Sequence, residues 1–187
     1  GSTFFEKYNE YNFNYPSVIK PNEEGSTFGI SIVNSYEDVL YQITPLRKFV
    51  KKSGIIVENY IKGRELTVGV LNNMTLPCIE IKTKGSHYDY NAKYVDDNTK
   101  YICPAELNEM ESSLVSNYSI LLNNALGCLD YSRVDFRMDE KGKFYCLEIN
   151  TLPGLTSKSL LPKAANEYKV NFNELVLEIC SLAFKRK

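Results

Sequence analysis

Apolar positions fall into two periodicities along the chain, and these predict most of its elements. The clearest helical stripe runs over 108–126, where Met110, Leu114, Val115, Tyr118, Leu121, Leu122 and Ala125 recur at three- and four-residue spacing and predict one buried face. Asn108 suits the N-cap, Glu109 and Glu111 the positive helix end, and Gly127 the stop. A second helix is expected from Ser35, with Glu37 and Asp38 in its first turn and Val39, Leu40 and Ile43 as its stripe. Pro45 is expected to interrupt it, with "LRKFVKK" resuming as a further short helix. Two more helical segments, "SLLPKAANEY" and "NFNELVLEICSLAFKRK", close the chain.

Period-two alternation marks the strands. "SVIK" (17–20) and "ISIV" (30–33) flank the polar loop "NEEGSTFG" and predict a hairpin with a glycine-bearing tip. "GIIVENYI" reads as a buried strand running into a linker that holds Gly63. "RELTVGVLNNMTLPCIEIKT" reads as two strands around an Asn72-Asn73 turn, with Glu65, Thr67 and Gly69 opposite in face to Leu66, Val68 and Val70. "CLDYSRVDFRM" and "KFYCLEIN" flank "DEKG", a further hairpin. Residues 84–104 show no useful period, and a loop of that length is a candidate lid. Hairpins and packed helices without repeating βαβ units predict an α+β fold built on antiparallel sheets.

The hairpin at 129–150 concentrates chemistry. Arg133, Asp135 and Arg137 share one face of their strand, as do Glu148 and Asn150 on the next. A tight turn at Glu140-Lys141 would pair Met138 with Lys143, set Arg133 opposite Glu148 and leave Asp135 diagonal to it. Asp135, Glu148 and Asn150 are then three oxygen donors beside a guanidinium, a set suited to Mg²⁺ shared with phosphate. The same residues also fit a plain cross-strand ion pair between Arg133 and Glu148, and the hairpin alone leaves both readings open.

Two other stretches invite a nucleotide. Lys20 ends a strand before a loop with Gly25, Ser26 and Gly29, which suits polyphosphate oxygens, although it is not the loop-lysine-helix order of a Walker motif. "VENYIKGREL" can offer backbone edges to a base and a carboxylate to ribose, but a solvated Glu58 or Glu65 explains it as well. The lone histidine, His87, has no nucleophile motif beside it, whereas Lys93 on a closing lid would bring charge to a phosphate.

Composition narrows the classes further. Hydrophobic residues make up 43% and charged residues 24% of the 187, an ordinary globular balance. With 22 basic against 23 acidic side chains there is no global field to attract nucleic acid or an anionic membrane. No apolar run is long enough to span a bilayer. Five scattered cysteines without a paired spacing suggest reduced thiols and a cytoplasmic setting. Gly1-Ser2 has the look of a cloning scar.

The order of these signals carries a resemblance that none carries alone. The lysine strand, the glycine-serine loop, "VENYIKGRELTVGV", "YDYNAKY", "YICPAEL", "SRVDF" and "LEINTLPGLTSKSLLP" follow one another as in the ATP-grasp family, and most closely resemble its D-alanine–D-alanine ligase group. The likeness begins near Tyr15 and runs to the end. It implies ATP and two Mg²⁺ ions as cofactors, with Mn²⁺ as an alternative ion, and D-alanine as substrate. It further implies phosphate contacts from Lys20 and Lys93, a base and ribose segment at Glu58, Tyr60, Ile61 and Glu65, and Leu147 under the base. Asp135, Glu148 and Asn150 are implied metal ligands, and Arg133 the arginine that stabilises the reacting phosphate. Ser26 and the lid residue Tyr94 are implied to close the site, while Gly154, Ser159 and Leu160 are implied to hold the second D-alanine.

The same resemblance implies a division into a truncated leader (1–14), the rest of a central subdomain (15–62) and a C-terminal subdomain (63–187). The 187 residues alone would then make a poor ligase or none, since family members are much longer. The implied chemistry is ligation through an acyl phosphate, for peptidoglycan synthesis, without nucleic acid or membrane partners. Relatives are commonly dimers, which leaves a homodimer open. Two alternatives stand beside it: a sister ligase taking D-lactate or D-serine, and an ATP- and magnesium-binding module without ligase activity.

Overall fold

The structure, a computed structural model, describes residues 14–23, 28–46, 54–83 and 99–185. These divide into two compact units, one ending at Tyr60 and the other beginning at Ile61. Among the described residues no helix is long and apolar enough to cross a membrane.

In the first unit β1 (Ser17–Pro21) lies between β2 (Ser31–Val33) and β3 (Ile55–Asn59), antiparallel to both. The β1–β2 pair is the hairpin expected from the alternation. Helix α1 (Tyr36–Leu46) covers the sheet with Val39, Ile43 and Leu46, which close over Ile19 and Val33. Two expectations fail here. Leu40 stands partly exposed, at 38%. Pro45 does not interrupt the helix but lies in its last turn. The missing N–H costs a single bond, and the Thr44 hydroxyl donates to the Leu40 carbonyl at 2.9 Å. The further helix expected from Leu46 falls on residues 47–52, outside those described.

The second unit is built on a sheet ordered β7-β6-β4-β8-β9, from β4 (Gly63–Leu71), β6 (Ile79–Lys82), β7 (Lys100–Ile102), β8 (Tyr131–Asp139) and β9 (Phe144–Asn150). Every pairing is antiparallel, and the two-residue β5 (Met74–Thr75) adds to β4. Asn72 and Asn73, with φ of 50° and 59°, make the tight turn between β4 and β5. Strand β7 was not foreseen, because only three of its residues pair and the stretch before it carries no period.

Helix α2 (Glu109–Ala125) lies over one sheet face, where Val115 joins Leu66, Val68, Val70, Val134, Phe136 and Met138. Its cap is the expected one: the Asn108 side chain accepts from the Glu111 N–H at 2.9 Å while Glu111 accepts from the Asn108 N–H at 3.0 Å. Its buried seam differs from the predicted stripe. Val115, Ser119 and Asn123 are buried, whereas Met110 and Leu121 are 73% and 64% exposed. Ser132 on β8 donates to Asn123 at 2.7 Å, and Ser119 is satisfied within the helix by donating back to the Val115 carbonyl at 2.7 Å, so both polar side chains can be buried.

On the other face, α3 (Leu160–Glu167) approaches β4 so closely that a Cβ on Gly69 would lie 2.6 Å from the Leu161 Cδ1. Helix α4 (Phe172–Phe184) packs on α3, with Leu175 fully buried beside Leu161, Ala164 and Ala165. Gly69, Thr67 and Glu65 share that face by alternation, so α3 and the loop before it border the candidate site.

At the rim of the α2 core, Glu80 is only 3% exposed. Arg64 grips it with a two-pronged fork, Nε to Oε1 at 2.9 Å and Nη2 to Oε2 at 2.7 Å, and also donates to the Glu106 carbonyl at 2.9 Å. Burial pushes the Glu80 carboxyl up, but the hydrogen bond and charge of Arg64, with Lys82, outweigh it and hold the group below its ordinary value.

Candidate functional site

The β8–β9 hairpin turns through three residues, Glu140, Lys141 and Gly142, rather than the two expected. The Asp139 N–H donates to the Lys143 carbonyl at 3.0 Å, and Gly142 takes φ of 78°. Asp139 braces the turn by accepting from the Lys141 and Lys143 N–H groups, both at 2.9 Å, and from the Tyr145 hydroxyl at 3.2 Å. The Lys143 bond in particular holds its carboxyl below the ordinary range.

Met138 therefore pairs with Phe144, and a bulge between Asp135 and Phe136 shifts the ladder again, with Cys146 opposite Phe136 and Glu148 opposite Asp135. Leu147 is the extra residue of that bulge and is 38% exposed. The expected register is thus corrected: Arg133 faces Asn150, not Glu148, and Asp135 faces Glu148 directly. The bulge also puts Tyr145, opposite Arg137, on the face of Glu148, where the plain alternation had set it on the other.

Arg133, Asp135, Glu148 and Asn150 still share one face, and β4 extends it, since Thr67 pairs with Asp135, Gly69 with Arg133 and Glu65 with Arg137. Directly opposite residues carry Cβ atoms roughly 5 Å apart, close enough for Asp135 and Glu148 to share one ligand. The expected cross-strand bridge between Arg133 and Glu148 gives way to a fork within one strand. Arg133 donates through Nε to Asp135 Oδ1 at 2.9 Å and through Nη2 to Oδ2 at 2.7 Å. The Thr67 hydroxyl donates to the same Oδ1 at 2.6 Å. Thr67 is 2% exposed, so this bond fixes the carboxylate from the sheet interior. Its role was legible only in part: alternation gave its face, but nothing local gave the β4–β8 pairing.

Among the described residues no cluster of three His, Cys, Asp or Glu side chains could hold a metal ion. The face offers two carboxylates and a carboxamide instead, hard oxygen donors suited to Mg²⁺ that completes its coordination with phosphate oxygens. Asn150 already accepts from the Leu152 N–H at 3.1 Å, which sets its side chain and starts the loop that follows. Cys146, beside the bulge, has its thiol pushed up by burial and by the charges of Asp135 and Glu148. The five cysteines are unpaired.

The loop from Thr151 to Ser159 is held by its own hydroxyls. Ser159 Oγ accepts from the Thr156 N–H at 3.1 Å and lies 2.9 Å from the Thr156 hydroxyl, while the Ser159 N–H donates to the Thr156 carbonyl at 2.9 Å. A Cβ on Gly154 would sit 2.9 Å from Ser159 Oγ, so the two predicted substrate residues are in close approach. Leu160 opens α3 and packs into the Leu161 cluster.

In the first unit Lys20 Nζ pairs with Glu58 Oε1 at 2.8 Å, and the Tyr60 N–H donates to the Pro16 carbonyl at 3.0 Å. In the second, Ile61 gives its carbonyl, and Glu65 its carboxylate, to Arg137. Ser26, Lys93 and Tyr94, with the rest of the candidate lid at 84–98, lie outside the described residues.

Residues 2–181 match the family described as D-ala D-ala ligase C-terminus. A D-alanine–D-alanine ligase of Buchnera aphidicola subsp. Schizaphis graminum is 44% identical over 168 residues, which are 90% of this chain and 54% of that protein. One from Syntrophotalea carbinolica is 43% identical over 92% of this chain and 56% of its own. The chain thus spans about half the length of these curated relatives. Among solved structures, a D-alanine–D-alanine ligase from Bacillus anthracis complexed with ATP has TM-score 0.79 at 28% identity, covering 97% of this chain and 56% of that one. The VanG D-Ala:D-Ser ligase from Enterococcus faecalis has TM-score 0.81 at 29% identity, covering 95% and 52%. The α+β, ATP-grasp architecture expected from the motifs is the one found. By the match over nearly its whole length, the chain belongs to the D-alanine–D-alanine ligase C-terminal family.

Proposed function

We propose that the chain carries the nucleotide- and metal-binding half of an enzyme that joins two D-alanine molecules at the expense of ATP. The observation that carries this reading is the shared face of Arg133, Asp135, Glu148 and Asn150 in a chain of this family. In the reaction, the carboxylate of the first D-alanine attacks the γ-phosphorus of ATP, the bond to ADP breaks, and an acyl phosphate forms. The amine of the second D-alanine then attacks the acyl carbon, loses a proton, and phosphate leaves.

Asp135, Glu148 and Asn150 are the residues that would hold Mg²⁺, two ions in this reading, and the metal would supply charge neutralisation on the phosphate oxygens. The rest falls to the chain's own groups. Arg133, buried to 13% side-chain exposure and already aimed by Asp135, turns its guanidinium to the oxygens that gain charge. Lys20 offers its charge to phosphate by exchanging Glu58 for it, and Lys93 adds a further charge. Glu58, Tyr60, Ile61 and Glu65 receive the base and ribose, with Leu147 beneath. Gly154, Ser159 and Leu160 hold the second amino acid, and Ser26 with Tyr94 closes the site. A cytoplasmic setting, a part in peptidoglycan synthesis and cell shape, and a homodimer belong to the same proposal.

Saturating ATP with Mg²⁺ is expected to raise the melting temperature, by the equivalent of about 2.7 kcal/mol at a hundredfold excess over Kd. Glu148→Gln should remove that rise without lowering the transition of the free chain, because Glu148 is exposed and in no ion pair among the described residues. No shift in the unmutated chain would overturn even a nucleotide-binding role. The likeness to VanG D-Ala:D-Ser ligase, as strong in fold as that to the dipeptide ligase, supports a second reading in which the acceptor is D-serine, with D-lactate as the other sister acceptor to be tested. Product analysis with the three acceptors across pH separates the two.

A further inference from the structure

Arg137 has no part in the motifs that carried the resemblance, yet its side chain bonds to three acceptors on the candidate face. It stands directly opposite Glu65 in the β4–β8 ladder. Its three donor nitrogens reach three acceptors: Nε to the Ile61 carbonyl at 3.0 Å, Nη2 to the Gly63 carbonyl at 3.0 Å, and Nη1 to Glu65 Oε2 at 3.2 Å. The Arg137 and Glu65 side chains are 11% and 19% exposed, so the pair is largely withdrawn from water. Lys62 also reaches back to Glu140 at 2.9 Å, but those side chains are 79% and 69% exposed and hold little. Arg137 therefore adds a side-chain tether to the stretch from Ile61 to Glu65, beside the β4–β8 ladder that holds it from Gly63 onward.

We propose that Arg137 is a positioning residue for the nucleotide: one guanidinium fixes the backbone at Ile61 and Gly63 and aims Glu65 at the ribose hydroxyls. This rests on the nucleotide reading above. Two physical reasons support it. A carboxylate that accepts hydroxyl hydrogen bonds from a polyanion must not repel it, and the Arg137 charge cancels that of Glu65 while leaving lone pairs to accept. A rigid planar fork also sets direction, which a lysine ammonium cannot do. Gly63 and Glu65 lie in β4 and Arg137 stands opposite Glu65 in β8, so strand register keeps these three together, with Ile61 two residues before the strand.

The test is titration calorimetry with ATP and with 2′,3′-dideoxyATP, each with Mg²⁺, on the whole chain. The unmutated protein is expected to prefer ATP by about tenfold, the value of one charge-assisted hydrogen bond. Arg137→Gln should weaken ATP by about that factor beyond any loss that dideoxyATP shares through the backbone at Ile61, so the ratio falls toward one. Glu65→Gln should do the same, and the double variant should add nothing. Arg137→Lys, which keeps the charge and loses the fork, should show a partial loss and serves if the glutamine variant does not fold. A ratio that stays near tenfold in the Arg137 variants, including one in which both nucleotides weaken equally, overturns the proposal and leaves Arg137 structural. An unmutated chain that binds both nucleotides alike overturns it too, with the nucleotide site intact. Failure of the unmutated chain to bind ATP overturns the nucleotide reading and this with it.

Discussion

Replacing Arg64 by methionine is expected to lower folding stability by about 3–5 kcal/mol at neutral pH. The cost arises from what is left behind, since Glu80 at 4% side-chain exposure keeps only Lys82, at 3.6 Å and itself 48% exposed, to offset its charge. The Glu106 carbonyl loses its donor as well. Methionine matches the aliphatic stem of arginine, so packing is nearly preserved and the loss reads the electrostatics. The double variant Arg64→Met with Glu80→Met should recover most of the stability, because removing both partners removes the uncompensated charge.

The pH dependence separates the two states. In the unmutated chain Glu80 sits below its ordinary value when folded. The unfolded chain then binds more protons, and this contribution is complete above the unfolded carboxylate range and fades as pH falls through it. Without Arg64, burial is left dominant and raises the folded value, so the Arg64→Met protein should gain stability on acidification from neutrality toward pH ~5. Urea midpoints at several pH values for the two proteins check this. Parallel curves would refute it.

Gly63→Ala is the second large effect, expected at about 3 kcal/mol from backbone strain and displacement together. Gly63 has φ of 150°, in the region that glycine alone adopts readily, and an alanine Cβ there would run into the Met138 carbonyl oxygen. That obstacle is backbone, paired on one side with β4 and on the other with β9, and cannot rotate away. To make room, the start of β4 must lift off β8, which also draws the Gly63 carbonyl from Arg137. The alanine variant should therefore show a lower melting temperature together with weaker ATP binding. Gly54→Ala, at φ of 82° but with open space around its Cβ, is the control and should cost only the backbone term, about 1–2 kcal/mol.

The β8–β9 hairpin was expected to turn through two residues and turns through three, and the ladder then gains Leu147 as a bulge. Each slip of one residue would by itself move Glu148 and Asn150 to the wrong face. Two slips restore the parity, so the shared face survives although every partner changes. The Asn108 cap and the β1–β2 hairpin were legible because their causes are local. The seam of α2, the Thr67–Asp135 bond and the Arg137 fork were not, since each depends on which strands become neighbours, and alternation gives faces but not neighbours. Strand β7 was hidden for the same reason: three residues gain their conformation from pairing with β6, not from their own pattern.

The two carboxylates of the candidate metal site come from strands of unequal standing. Asp135 lies on β8, bonded on both sides, whereas Glu148 lies on β9, the last strand of the sheet among the described residues. A cation held by both would act as a rivet across the outermost seam. On that side of the sheet the free chain would open by peeling β9 away, scattering the ligands of the site while β8 keeps Asp135 and Arg133 in register with each other. Loading the site would oppose that opening, so that the amide protons of β9 would exchange more slowly in the loaded chain than in the free one.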